Sequence, residues 1–318
     1  MFGHPTWIWL VLGAVLLPML ALDLLAHRGG EPEPKRRAIA WSAAWITVGL
    51  LFGVFVWSVL GPDAAGEYLA AYLIEKSLSL DNIFVFLTIF QALCIPQQSQ
   101  RRVLLWGVLG ALGFRAIFIL AGAEALERWR WVSYVFGAIL LWTAARIARE
   151  DPSAHKEPRT VRWLAQHIPV THELHGPSFF VVERGRRVAT PLLVALVGLE
   201  LTDIVFAVDS VPAALAITRD RFIVYSSNAF AILGLRSLYV VLSQGVAELE
   251  HLHYGLAAVL AFAALKLMTA GWLHVPPLLS VAIIATLLGA SIASSLLVRR
   301  KHRREDDPAP RRAPPGSQ

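Results

Sequence analysis

The chain has 318 residues, 56% of them hydrophobic and only 16% charged, and carries a net charge of +6. Its apolar residues come in long runs rather than short amphipathic patches, which excludes a soluble globular domain and marks an all-α, polytopic membrane protein. One cysteine, Cys94, and three methionines exclude a disulfide framework and a thiolate or thioether metal centre, so a metal handled here meets oxygen or imidazole.

About nine spans are predicted, near 7–26, 38–59, 66–93, 103–123, 131–148, 190–211, 222–243, 254–273 and 276–297. The first run lacks a basic n-region and a small-residue cleavage site, and is expected to be retained as a helix. Residues 1–148 form a first membrane half with five spans, 149–189 a cytoplasmic linker, 190–298 a second half with four spans, and 299–318 a disordered basic tail lying near anionic headgroups. An odd number of spans puts the termini on opposite sides. Loops on the amino-terminal side hold only Arg128, Arg130, Arg219 and Arg221, while Arg28, Lys35, Arg36, Arg37, Arg101, Arg102, the linker and the tail carry the remaining loop charge. This bias places the amino terminus outside and the carboxyl terminus in the cytoplasm of a bacterial-type inner membrane. Because the basic residues follow the loops, orientation explains the charge and no nucleic acid partner is expected.

The linker, rich in Pro, Arg and His, is expected to hold short local structure, with a weak metal-binding spacing at His172-Glu173-Leu174-His175. At its end Thr190-Pro191 reads as the N-cap and first residue of the sixth helix. Most of the tryptophans, Trp7, Trp57, Trp129, Trp131 and Trp272 among them, fall near span ends and read as interfacial anchors.

Two stretches carry acids inside otherwise apolar spans: Glu75 to Asn82, with Asp81, and Glu200 to Ser210, with Asp203 and Asp209. Each ionisable residue at the bilayer centre costs roughly 2.5–3.5 kcal/mol on insertion scales, so such residues usually face a polar cavity or an ion path. Glu75 and Asp81 are six apart, as are Asp203 and Asp209, and the spans that follow match in order. Leu112-Gly113-Phe114-Arg115 corresponds to Leu233-Gly234-Leu235-Arg236, and Phe136–Ala144 to Phe262–Ala270. Duplication of a unit with three spans inverts its second copy, so spans three to five and six to eight are expected to form an inverted repeat, a transporter architecture with its site at the midplane. Six residues are about 240° round a helix, so the two acids of each pair converge only if the helix unwinds between them; Pro212 supplies one disruption.

These motifs, with Ala189-Thr190-Pro191 and Ser227-Asn228-Ala229-Phe230, resemble the TerC/Alx family of integral membrane proteins, near the LysE-type exporters, over most of residues 1–297. The resemblance implies metal-ion homeostasis, chiefly manganese export, with tellurite resistance and pH-responsive induction as further labels. No permanently bound cofactor is implied; manganese or another divalent cation would be the transported ion.

Hard divalent cations take carboxylate, amide and hydroxyl oxygens, which Asp81, Asn82, Glu200, Asp203, Asp209, Ser210 and Asn228 provide. Glu200 and Asp203 share one helix face, whereas Glu75 is expected nearer the outer surface as a gate or relay. Arg115 and Arg236 are expected to pair with carboxylates across the repeat, and Lys266, which matches Leu140, to break the symmetry as a salt bridge or a proton-coupling group. The competing account is that buried ion pairs simply staple helices, which suits a membrane scaffold or assembly factor without transport. A homo-oligomer or a partner in a membrane complex stays open. No nucleotide-binding loop, Gly-x-Gly-Asp or His-Glu-x-x-His occurs, so an enzyme is not expected.

Overall fold

A computed structural model describes residues 4–26, 34–149, 171, 178–183, 186–243, 252–273 and 275–305. The linker histidines and the end of the tail lie outside these residues. The helices are α1 Thr6–Ala26, α2 Lys35–Leu60, α3 Pro62–Ala92, α4 Gln97–Arg128, α5 Val132–Arg149, α6 Pro191–Ile217, α7 Arg221–Ile232, α8 Leu235–Ser243, α9 Leu252–Thr269 and α10 Pro277–Glu305. A short antiparallel hairpin, β1 Phe180–Glu183 and β2 Arg186–Ala189, precedes α6 with Phe180 opposite Ala189. It is the local structure expected in the linker and the one exception to a helical chain among the described residues.

Proline sets many of the helix starts. Pro34 and Pro96 sit at N-caps, and Pro62 and Pro191 open α3 and α6, positions where a missing N–H costs nothing and the fixed φ is already helical. Asp220 caps α7 by accepting hydrogen bonds from the N–H groups of Phe222 (2.9 Å) and Ile223 (3.4 Å). Thr190 occupies the N-cap position of α6 in extended conformation but makes no side-chain cap bond. Its hydroxyl donates instead to the carbonyls of Ser178 (2.8 Å) and Phe179 (3.2 Å), tying the hairpin to the helix.

Among the described residues seven helical segments are long and apolar enough to cross a membrane, and the chain is a multi-pass membrane protein. Leu10, Leu17, Leu51, Ile117 and Leu278 are each at least 60% exposed, a circumference that only lipid can cover. Inside, buried apolar side chains form two clusters. Along α4 the first cluster ends at Leu112 and the second begins at Ile119; along α6 the corresponding residues are Leu199 and Ala207. Arg115 and Asp203 fall in those two gaps, whereas along α3 the two clusters interleave, with Tyr72 and Ile83 in the first and Ile74 and Leu78 in the second.

Both acid-bearing helices are continuous. α3 and α6 run unbroken through their acid pairs, and Pro212 stays inside α6, so no unwinding brings the two acids of a pair together. A freed carbonyl in an apolar surrounding needs a partner, and helical continuity leaves only the one bond that proline lacks. The break falls elsewhere. The predicted seventh span divides into α7 and α8 at Leu233-Gly234, where Gly234 has φ +84°. Lys76 of α3 donates to the carbonyls of Ala231 (3.0 Å) and Leu233 (3.4 Å) at this break, placing a cation at the negative end of α7. The matching Gly113 lies inside unbroken α4.

Gly234 combines a left-handed backbone with close packing: an added Cβ would lie 2.7 Å from the Cβ of Trp45, whereas one at Gly113 would meet nothing within 4 Å. Gly234→Ala is therefore expected to destabilise the protein by at least about 1–2 kcal/mol and to lower its melting temperature in detergent, while Gly113→Ala leaves it unchanged or raised. Equal melting temperatures for the two variants would remove the packing account of the break.

Candidate functional site

Arg115 is the centre of a polar layer. Its side chain is 1% exposed and lies far from either end of α4. The guanidinium pairs with Glu75 of α3 and with Asp203 of α6, where Nη2 donates to Oδ1 at 3.1 Å and Nε to Oδ2 at 3.3 Å. Nη1 also donates to Ser210 Oγ (3.1 Å) and reaches Asn228 Oδ1 of α7 (3.4 Å). One planar donor fork thus ties four helices together, two from each half of the chain. With two hydrogens and three acceptors around it, Nη1 has no unused donor.

The surroundings remain acceptor-rich. Two carboxylates face a single guanidinium, and among the described residues Glu75 Oε2 is buried with no hydrogen-bond partner, as are Asn228 Nδ2 and Ser79 Oγ. Asn82 is buried on α3. Asp81 lies beside it on the same helix, but its side chain is outside what the structure describes. Glu75, expected nearer the outer surface, instead stands at the heart of this cluster and is 1% exposed. The physical reason is that α3 starts at Pro62 rather than at residue 66, which extends the helix outward and places Glu75 near its middle.

Glu200 lies one turn before Asp203 on the same face of α6 and packs against Gly110 of α4, where any Cβ would overlap its carboxylate. Its Oε2 is buried without a hydrogen-bond partner among the described residues. Gly110 is a functional neighbour that sequence reasoning passed over; its glycine is what admits a carboxylate against α4.

The other candidates lie apart from this centre. Asp209 accepts a hydrogen bond from Thr143 of α5 at 2.7 Å, on a different face of α6 as an unbroken helix requires. Arg236 pairs at 3.3 Å with Asp23 of α1 and with that residue's carbonyl, so its carboxylate comes from outside the repeat. Asp23 was legible as an acid within the first span. Lys266 donates to the Ile217 carbonyl (3.1 Å) and to Ser280 of α10 (3.0 Å), capping the end of α6. Among the described residues, no three His, Cys, Asp or Glu side chains converge closely enough to hold a metal ion; in this conformation the guanidinium occupies the centre of the carboxylates.

Apolar helices around a buried layer of ionised and amide side chains define a multi-pass integral membrane protein with a charged interior. Residues 60–303 match the integral membrane protein TerC family, and the chain belongs to that family. It is 45% identical to an uncharacterised membrane protein of Myxococcus xanthus over 96% of both chains. It is 40% identical to a protein of Escherichia coli K12 provisionally named membrane-bound redox modulator Alx, over 93% of this chain and 96% of the other. An uncharacterised membrane protein of Rickettsia bellii is 35% identical over 91% of this chain and 97% of its own. No solved structure matches.

Removing one partner of a buried ion pair typically costs about 3–5 kcal/mol, because the other charge is left uncompensated. Arg115→Met is accordingly expected to lower the amount of folded protein and its melting temperature in detergent. Adding Glu75→Gln and Asp203→Asn to the same chain is expected to recover most of the loss. An Arg115→Met protein as stable as wild type would mean that the guanidinium does not hold the four helices.

Proposed function

We propose that the protein is a secondary transporter that moves a divalent metal ion, manganese foremost, out of the cytoplasm through the carboxylate layer around Arg115. The observation that carries this reading is the buried convergence of Glu75, Asp203, Ser210 and Asn228 on one cation, with oxygen-rich side chains left over. Those oxygens match a hard divalent ion, and membership in the TerC family, with the metal-ion homeostasis its resemblance implies, favours manganese.

In this reading Arg115 is the resident counter-charge that the transported ion replaces. A helical side chain leans toward the helix amino terminus, which for Arg115 is the direction of Gly110 and Glu200. Glu200, whose Oε2 has no partner among the described residues, is the carboxylate that receives the guanidinium when a divalent ion takes Glu75 and Asp203. Asp81, Asn82, Ser210 and Asn228 complete the oxygen shell. Proton exchange supplies a drive, with Lys266 or a carboxylate as carrier.

The proposed topology has nine crossings, the seven apolar segments together with charge-bearing α3 and the shorter α9. Packing supports the inverted repeat: α3 lies against α7 as α6 lies against α4, and α5 packs on α9. The amino terminus is placed outside and the linker and tail in the cytoplasm, in a bacterial-type inner membrane, from the loop charge bias. Reporter fusions at Gly30 and Gln318 should both score as cytoplasmic; an external signal from either would discard the nine-span topology.

A second reading, a scaffold or stress-resistance factor without transport, draws on the same guanidinium, since an Arg115 bonded to partners on three other helices is what a static staple needs. Manganese retention separates the two. At matched membrane levels, Asp81→Asn and Asp203→Asn should each abolish manganese efflux by cells without blocking insertion. Asp209→Asn should act less strongly, because its carboxylate is bonded to Thr143 away from the cluster. Wild-type efflux from both Asp81→Asn and Asp203→Asn would leave the scaffold reading standing.

A further inference from the structure

A cavity of about 340 Å3 opens between the end of α3, the start of α4 and the end of α8. Gln91, Gln97, Gln100, Tyr239 and Ser243 provide its amide and hydroxyl lining, Cys94 lines it without offering an oxygen, and among the described residues no Asp, Glu, Lys, Arg or His lines it. Arg102, nearby on α4, is turned onto the ring of Phe179 at 5.0 Å. Resting on the transporter reading, we propose that this cavity is the cytoplasmic vestibule that admits the hydrated divalent cation and strips its water before the carboxylate layer.

Size is the first support. Six waters take roughly 180 Å3 at about 30 Å3 each, which the cavity accommodates. Chemistry is the second: amide and hydroxyl oxygens can replace waters one at a time, and a lining without carboxylates does not trap the ion. Electrostatics is the third. Among the described residues no Lys, Arg or His lines the cavity, so an entering cation meets no like fixed charge there.

Position is the fourth support. Beneath the vestibule lies a second cavity of about 20 Å3, lined by Phe86 of α3, Leu199 and Asp203 of α6, Ala111 of α4 and Arg236 of α8. It has room for about one water, so only an ion that has lost most of its shell passes. The two cavities are stacked along shared helix faces: Phe86 and Phe90 are one turn apart on α3, Arg236 and Tyr239 one turn apart on α8. Between them the Tyr239 hydroxyl donates to Gln100 Oε1 at 2.7 Å, Gln100 Nε2 donates to the Ile95 carbonyl at 2.7 Å, and Phe90 stands edge-on to Tyr239 at 5.6 Å. This bonded group closes the way inward in the present conformation.

Cys94, the only cysteine, is exposed and lines the vestibule, which makes the wild-type chain its own reporter. Manganese uptake into inside-out vesicles would be measured before and after a membrane-impermeant methanethiosulfonate reagent bearing a trimethylammonium group. Uptake is expected to fall about tenfold or more, as for a fixed unit charge within roughly 10 Å of the path of a divalent ion in a partly buried setting. The same reagent applied to the opposite membrane face should do nothing, a reagent bearing a sulfonate should inhibit far less, and Cys94→Ser should transport normally and ignore both. Complete labelling of Cys94 with unchanged uptake would overturn the vestibule and leave the transporter reading intact. Equal inhibition by the two charges would overturn the assignment to a cation. No manganese uptake by the unmodified wild type would overturn the transporter reading, and the vestibule with it.

Discussion

The bond that the rest of the structure depends on is the grip of one buried guanidinium on Glu75 and Asp203. A buried arginine is tolerable only if its charge is compensated and its N–H groups are used. Meeting both conditions requires α3, α4, α6 and α7 to converge at one depth. Once they do, the apolar side chains around them pack into two clusters that meet along α3. The ion cluster therefore fixes register among helices whose apolar surfaces, facing lipid on one side and one another on the other, supply little directional preference.

The remaining cations follow the same rule with different partners. Lys76 and Lys266 each place an ammonium on helix carbonyls, at the end of α7 and at the end of α6 respectively. A carbonyl without an N–H partner in a nearly waterless interior is costly, and a lysine is long enough to reach one from a neighbouring helix. The break in the seventh span is thus sustained from outside itself: Gly234 permits the backbone turn, Trp45 packs against it, and Lys76 satisfies the carbonyls it frees. Gly113 has the same local sequence and none of these neighbours, and its helix runs straight on.

That contrast marks where the sequence was readable and where it was not. Long apolar runs and proline starts are local properties, and α1 to α6 and α10 overlap the runs that those properties mark. Family membership was also legible, in motifs that combine acids with small polar residues. The choice of partners was not. Leu-Gly-x-Arg occurs twice, yet Arg115 reaches Glu75 and Asp203 while Arg236 reaches Asp23, because pairing depends on which helices become neighbours. Nor does a six-residue spacing say whether the backbone between two acids unwinds; α3 and α6 run helical through both pairs.

The chemistry of arginine then constrains what the layer can do. A guanidinium does not give up its proton in a protein, so Arg115 cannot neutralise the site by deprotonating; it can only move. It stands between two carboxylates, beside Glu75 Oε2, with a third carboxylate, Glu200, toward the amino-terminal side of α4; both Oε2 atoms are unpaired among the described residues. A monovalent cation replacing it at Glu75 and Asp203 would leave their net charge as it is now. A divalent cation would cancel both carboxylates and leave the displaced guanidinium to cancel Glu200. In the proposed exchange a divalent ion would leave each of these three carboxylates, two buried and Glu200 half-buried, with a counter-charge.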